Sequence, residues 1–225
     1  MDVYEAVLQR RSVRGFLDRP VDRQLLERVL AAACRAPSGG NLQPWRLYAL
    51  TGNPLRELVK LTIDRIAARP EPDQAEYVIY PPKLTSPYRD RRFQVGEQLY
   101  ETLGVPRDDK AGRQRQFIRN FEFFGAPVGL FCYVDRQMGS AQWSDLGMYL
   151  QTVMLLLEAE GLGSCPQEAW SVYHRTVAES LQPPEELMLF CGMSIGYPDP
   201  AHTTAALRTE RAGLGEVSTF LGWES

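Results

Sequence analysis

The apolar positions recur mostly at helical spacing, interrupted by a few short continuous runs. Asp2 is placed to cap a first helix in which Val3, Ala6 and Val7 share a face, with Arg10 following at the same spacing. Asp22 opens a second, with Leu25, Leu26, Val29, Leu30 and Ala33 as its stripe, broken at Pro37-Ser-Gly-Gly. Residues 45–51 read as a strand. Asn53 and Pro54 read as the cap and first turn of a helix continuing through Leu55, Leu58, Val59, Thr62 and Ile66. Residues 69–92 carry five prolines and many charges, the composition of a surface excursion. Helices over 92–103 and 109–124 follow, then a buried strand over 127–134. Residues 145–161 form the strongest core helix, carrying Met148, Leu150, Val153, Met154, Leu156 and Leu157. A short loop through 165–168, a helix over 172–181 and a strand over 187–195 complete the pattern. The tail is polar apart from Phe220 and Trp223. Three strong strands among helices predict a layered α+β or α/β domain spanning 1–225.

Composition narrows the classes. Of 225 residues, 44% are apolar and 24% charged, as in ordinary globular proteins. With 25 basic and 28 acidic side chains, the balance gives no support to nucleic-acid binding. The opening residues lack an apolar signal core, and no stretch approaches the roughly 18 apolar residues of a membrane span. Four cysteines without a CxxC pair fit a reduced, cytoplasmic compartment better than a disulfide framework. The two histidines, His174 and His202, are far apart, so no metal centre is expected.

Four segments carry chemistry. Arg10-Arg11-Ser12-Val13-Arg14 places three guanidiniums and a hydroxyl where a helix ends, suited to a phosphate or equally to a solvated basic face. Residues 36–45, APSGGNLQPW, offer glycines for close backbone approach and polar groups for a heterocycle edge, or an ordinary helix-to-strand loop. Gly161-Leu-Gly-Ser, followed by Pro166-Gln167-Glu168, lacks the third glycine and the preceding strand of a dinucleotide fingerprint. Arg208 and Arg211 form a last basic pair.

Together, RRSVRGF, APSGGNLQPWR, EGLGS and RTER, in that order over almost the whole chain, resemble the nitroreductase family of FMN-dependent oxidoreductases. PYRDRRF, RNFEFFGAPVGLF and QWSDLGMYLQTVMLL are similar to its subgroup acting on nitroaromatics such as nitrobenzoate. The resemblance implies an α+β fold, a central mixed sheet flanked by helices, and an intertwined homodimer with two FMN sites. It places Arg10 and Ser12 on the phosphate with Arg11 beside them, and Arg14 near the N1–C2 carbonyl edge of the ring. Arg211 and Arg208 complete the phosphate site. Pro37, Ser38, Gly39 and Asn41 come from the other subunit, and Pro166, Gln167 and Glu168 pack on the opposite flavin face. The implied cycle is ping-pong: NADH or NADPH gives hydride through flavin N5, and a small aromatic acceptor takes two electrons, a nitro group passing to nitroso and then hydroxylamine.

Some assignments stay two-sided at this level. Trp45, Phe123, Phe124 and Trp143 line an aromatic slot or simply fill the core. The excursion from 69, reaching as far as 125, is the expected lid, and Arg89, Arg91 or Arg92 either attracts a substrate carboxylate or is solvated. Cys165 reads as a small buried residue. Related alternatives are a dehalogenase or flavin-fragmenting enzyme of the same fold, or a non-catalytic FMN store.

Overall fold

A computed structural model describes residues 1–69 and 71–223, leaving Pro70 of the excursion and the last two positions of the expected 1–225 domain outside it. Its frame is a four-stranded sheet in the order β1-β2-β4-β3, formed by β1 (Trp45–Thr51), β2 (Val128–Asp135), β3 (Gly163–Gln167) and β4 (Leu187–Gly196). All three ladders are antiparallel. The sheet expected to be mixed is therefore antiparallel, and parallel pairing is confined, among the described residues, to an isolated bridge between Ser12 and Ser164. The helices are α1 (Val3–Gln9), α2 (Arg23–Ala33), α3 (Gly52–Ala68), α4 (Tyr88–Thr102), α5 (Lys110–Ile118), α6 (Ser140–Ala159), α7 (His174–Leu181) and the short α8 (Leu214–Val217).

Both faces of the sheet are covered, which explains the unbroken apolar run of β2. Val128, Leu130, Cys132 and Val134 enter one core with α2 and α6. Phe131 and Tyr133 enter the other, against α3 and α7. In the first core Trp45 of β1 stacks on Tyr149 of α6 at 4.6 Å. In the second, the Trp170 ring stacks on Phe123 at 4.7 Å and meets Phe121 and Phe131 edge-on. Strand β4 gives way to this ring: a Cβ on Gly192 would lie 2.4 Å from Trp170 Cδ1.

Several expectations are corrected. The 165–168 segment is largely strand, because β3 pairs Cys165, Pro166 and Gln167 with Ser194, Met193 and Gly192. Its single proline and short length hid it from a periodicity reading. Helix α3 begins at Gly52 with Thr51 at its N-cap and no side-chain cap, so Asn53 does not play that part. The helix expected to reach residue 124 stops at Ile118 and continues as a 3-10 turn over Arg119–Gly125. There Phe123 and Phe124 adopt left-handed backbone at φ 49° and 55°. That conformation costs roughly 1–2 kcal/mol per residue, offset by burying two aromatic rings. The N-terminal cap is as expected: Asp2 and Glu5 form a reciprocal capping box on α1. Its apolar face, however, is not buried. Only Ala6 is, while Val3, Tyr4, Val7 and Leu8 are exposed.

Replacing Gly192 by Val should overpack the Trp170 nest and cost about 1–3 kcal/mol. A lowered thermal midpoint with unchanged far-UV dichroism is the expected result, and an unchanged midpoint would show that the ring relocates freely.

Candidate functional site

The site begins where α1 ends. Arg10 is its C-cap, and its ψ of 128° turns the chain into extended backbone. The extended segment is then stitched to the sheet. Val13 N–H donates to Ser164 O at 2.9 Å, Leu17 N–H to Tyr197 O at 2.9 Å, and Asp199 N–H to Gly15 O at 3.0 Å. Side chains along extended backbone alternate, so Val13 turns into the protein while Ser12 and Arg14 turn away. Val13 fits because residue 163 has no side chain: a Cβ there would stand 2.6 Å from Val13 Cγ2. On the same segment Gly15 packs against the His202 ring.

Arg10, Arg11, Ser12 and Arg14 thereby line a cavity of about 500 Å³. Arg208, Thr209 and Arg211 close it from the other end of the chain, and Val7, Leu8, Leu99 and Leu207 supply apolar wall. Among the described residues, none of these five guanidiniums forms an ion pair with a carboxylate. Arg208 Nη1 donates to Ala205 O and Leu207 O, and Arg211 Nη1 to Thr209 Oγ1. Burial, then the positive charge of Arg208, pushes Arg11 below its usual range. Glu158 is pushed upward by burial, against the pull of Arg11, Arg10 and Arg208. Concentrated, unpaired guanidiniums on a concave wall are suited to a polyanionic ligand such as a phosphate.

A second cavity, about 630 Å³, adjoins the end of β3. Pro166, Gln167 and Glu168 line it, with Ile79, Tyr80, Phe117, Leu150, Met154 and Phe190 as its apolar wall. Gln151 of α6 lines both cavities and so marks their junction. The Gln167 side chain is committed to the scaffold. Its Nε2 donates to Asn120 O at 2.7 Å and its Oε1 accepts from Ser194 Oγ at 2.7 Å, so its backbone is what remains for a ligand. Glu168 lies at the cavity wall, where desolvation raises its carboxyl above the ordinary range. The excursion reaches this cavity through Ile79 and Tyr80. It is pinned nearby by Tyr77, which stacks on Phe190, meets Trp143 edge-on and donates its hydroxyl to Phe190 O.

The remaining expected residues fall as follows. Pro37, Ser38, Gly39 and Asn41 reach neither cavity of their own chain. They form an exposed turn, whose Gly39 N–H donates to the buried Asp145 Oδ1 at 3.2 Å. Trp45, Phe123 and Phe124 are buried in the cores, and Trp143 packs beside them, so none of the four lines either cavity. Arg89 and Arg91 pair with Asp90 and Glu216, and Arg92 covers the Tyr80 ring. Cys165 is buried, which raises its thiol and makes it a poor nucleophile. Gln151, Asn120, Tyr77, Ile79, Tyr80 and Phe117 were not singled out by sequence. Gln151 carried a signal, a polar residue inside the most apolar helix; Tyr77, Ile79 and Tyr80 sit in the excursion, and Phe117 and Asn120 lie in a segment expected to be helical, with nothing in the sequence to point them at a cavity.

Residues 7–197 match the model of the nitroreductase family, described as "Nitroreductase". The nitrobenzene nitroreductase of Ectopseudomonas oleovorans is 36% identical over 96% of both chains. The 4-nitrobenzoate reductase of Pseudomonas putida is 35% identical over 99% of this chain and 97% of its own. Among solved structures, the FMN and NADPH-dependent nitroreductase NfnB from "sphigopyxis sp. strain HMH" superposes with a TM-score of 0.96. It is 49% identical and covers 99% of this chain and 100% of its own.

Two outcomes test the site. Replacing Arg10 and Ser12 together by Ala should abolish retention of bound anionic cofactor through gel filtration, whereas Cys165→Ala should retain it; full retention by the double variant would overturn the cradle assignment. The second concerns His202, whose imidazolium is disfavoured by burial, then by Arg119, while Nδ1 accepts from Thr204 N–H. Its folded pKa lies below the unfolded value of about 6.5, so the unfolded chain binds more protons across that interval. Stability from this group is full above about pH 6.5 and is lost as the pH falls toward the folded value. His202→Gln should flatten that part of the melting-temperature profile between pH 7 and 5.

Proposed function

The chain belongs to the nitroreductase family, and from that premise we propose that it transfers reducing equivalents from NADPH to nitroaromatic acceptors by way of bound FMN. The observation that carries the reading is the convergence of Arg10, Arg11, Arg14, Arg208 and Arg211 on one cavity, where, among the described residues, none is held in an ion pair. The fit to FMN is good on this chain's own terms. The guanidiniums and the Ser12 hydroxyl meet a phosphate dianion. The cavity has the size of ordinary ligand sites, on the order of 300–1,000 Å³, and the adjoining cavity offers an apolar wall to a planar ring. When bound, FMN supplies the redox centre that accepts hydride from the nicotinamide and passes two electrons onward.

The side chains have supporting parts. Arg10, Arg11 and Ser12, with Arg208 and Arg211, would hold the phosphate of FMN. Arg14 would supply a fixed cation able to stabilise negative charge on the bound group. Pro166, Gln167 and Glu168 offer a rigid floor, because the Gln167 side chain is clamped between Asn120 and Ser194. The apolar wall excludes water from the acceptor. No side-chain nucleophile is required.

A homodimer completes the site. The support is the uncovered apolar surface of α1, where Val3 is 71% and Tyr4 82% exposed, together with Phe220, Leu221 and Trp223 in the tail. Val7 and Leu8 of that helix also line the phosphate cavity, so a partner seated there would close it. The exposed turn at Pro37, Ser38, Gly39 and Asn41 would then be donated to the partner's cofactor.

The purified protein is expected to be yellow, to bleach when NADPH is added without oxygen, and to regain its colour when a nitroarene follows. Bands that persist with both NADPH and NADH would move the role to flavin storage. Sedimentation should give a dimer, and Tyr4→Glu combined with Leu8→Glu should yield a monomer with weakened flavin retention; a native monomer that holds flavin would refute the shared site.

A further inference from the structure

Three side-chain amides line the second cavity, those of Asn120, Gln151 and Gln167. Two are committed to the scaffold. Asn120 Nδ2 donates to Phe117 O at 2.8 Å, and the Gln167 amide is held at both ends by Asn120 and Ser194. The third is not. Tyr149 and Thr152, its neighbours on α6, form side-chain hydrogen bonds, whereas the half-buried Gln151 amide forms none among the described residues. Gln151 is also the one described residue that lines both cavities. The walls to either side of it are apolar, with Leu150 and Met154 in the second cavity and Val95, Leu99 and Leu207 in the first. One turn earlier on the same face stands Gly147, where a Cβ would meet nothing within 4 Å, so the helix beside the amide is open to a ligand. A polar group in an apolar wall costs free energy once a ligand covers it without supplying a hydrogen bond.

We infer that Gln151 recognises the hydroxyls of the chain that joins the two ends of the cofactor. The inference rests on the FMN reading and deepens it. A ligand with its phosphate among the arginines and its planar ring in the second cavity has to cross the junction that Gln151 marks. In FMN the part that crosses is a polyol. A carboxamide donates through its NH2 and accepts through its oxygen, and a hydroxyl offers the same two roles in return, without charge on either side. Selection for a hydroxylated linker is a property that neither the arginine cluster nor the apolar wall can supply.

The test compares FMN with an analogue in which an unhydroxylated pentyl chain joins the same phosphate and ring. Dissociation constants are read from flavin fluorescence during titration into the full chain freed of flavin. The native protein should bind FMN roughly tenfold more tightly than the analogue. Gln151→Met keeps the length and helix preference of the side chain and removes its amide. In that variant the ratio should fall about fivefold, or about 1 kcal/mol, as expected for an uncharged hydrogen bond. Gln151→Leu, an apolar replacement of different shape, should give the same fall. The ratio is taken within each form of the protein, so a general weakening of the site, or of a dimer that completes it, cancels. An unchanged ratio in both variants overturns the role of Gln151, and equal binding of the two ligands by the native protein overturns recognition of the linker. A native protein that binds neither ligand overturns the FMN reading and this inference with it, whereas a ratio that survives substitution leaves the FMN reading standing.

Discussion

The site depends on one piece of packing, the seating of Val13 over residue 163. The backbone bond from Val13 N–H to Ser164 O locks the arginine segment to the edge strand that ends in Pro166 and Gln167, with Glu168 just beyond it. Because extended side chains alternate, seating Val13 inward is what sends Ser12 and Arg14 toward the cavity. A methyl group at position 163 would collide with Val13 and lift the whole segment. The Arg10–Arg14 segment and the floor of the second cavity therefore share one support.

The floor has a further brace. Gln167 reaches to Asn120, which stands three residues before the first of the paired left-handed Phe123 and Phe124. That unusual turn drives two aromatic rings into the core while leaving the Asn120 carbonyl free to accept. Strained backbone of this kind persists only where its surroundings hold it on several sides. Here the Trp170 nest holds one side and the Gln167 bond the other. The geometry of the floor is consequently tied to the buried aromatic core around Trp170.

Much of this was legible in the residues. Asp2 and Asp22 announced their helices, the run over β2 its burial on both faces, and the two ends of the chain their guanidiniums. The convergence of those guanidiniums was not legible from spacing, because Arg14 and Arg208 are brought together only by tertiary structure; the family resemblance supplied it. Strand β3 was missed because five residues containing a proline carry no readable period. The shared face of Val3, Ala6 and Val7 was legible, but its exposure was not, since periodicity reports that a helix has an apolar side and not what covers it. The second cavity was hardly visible at all. Tyr77, Ile79 and Tyr80 lie in an excursion whose prolines and charges mask the few residues that turn inward.

The basic cradle has a consequence for how the protein comes into being. Its two halves lie nearly two hundred positions apart, Arg10 to Arg14 on one side and Arg208 to Arg211 on the other. A nascent chain exposes the first half long before the second exists, and during that time like charges have no counterpart to organise them. If the two halves hold a ligand jointly, the complete cradle exists only once the segment from Arg208 has been made, and the stabilisation that mass action lends to a ligand-loaded fold is gained in one step rather than gradually.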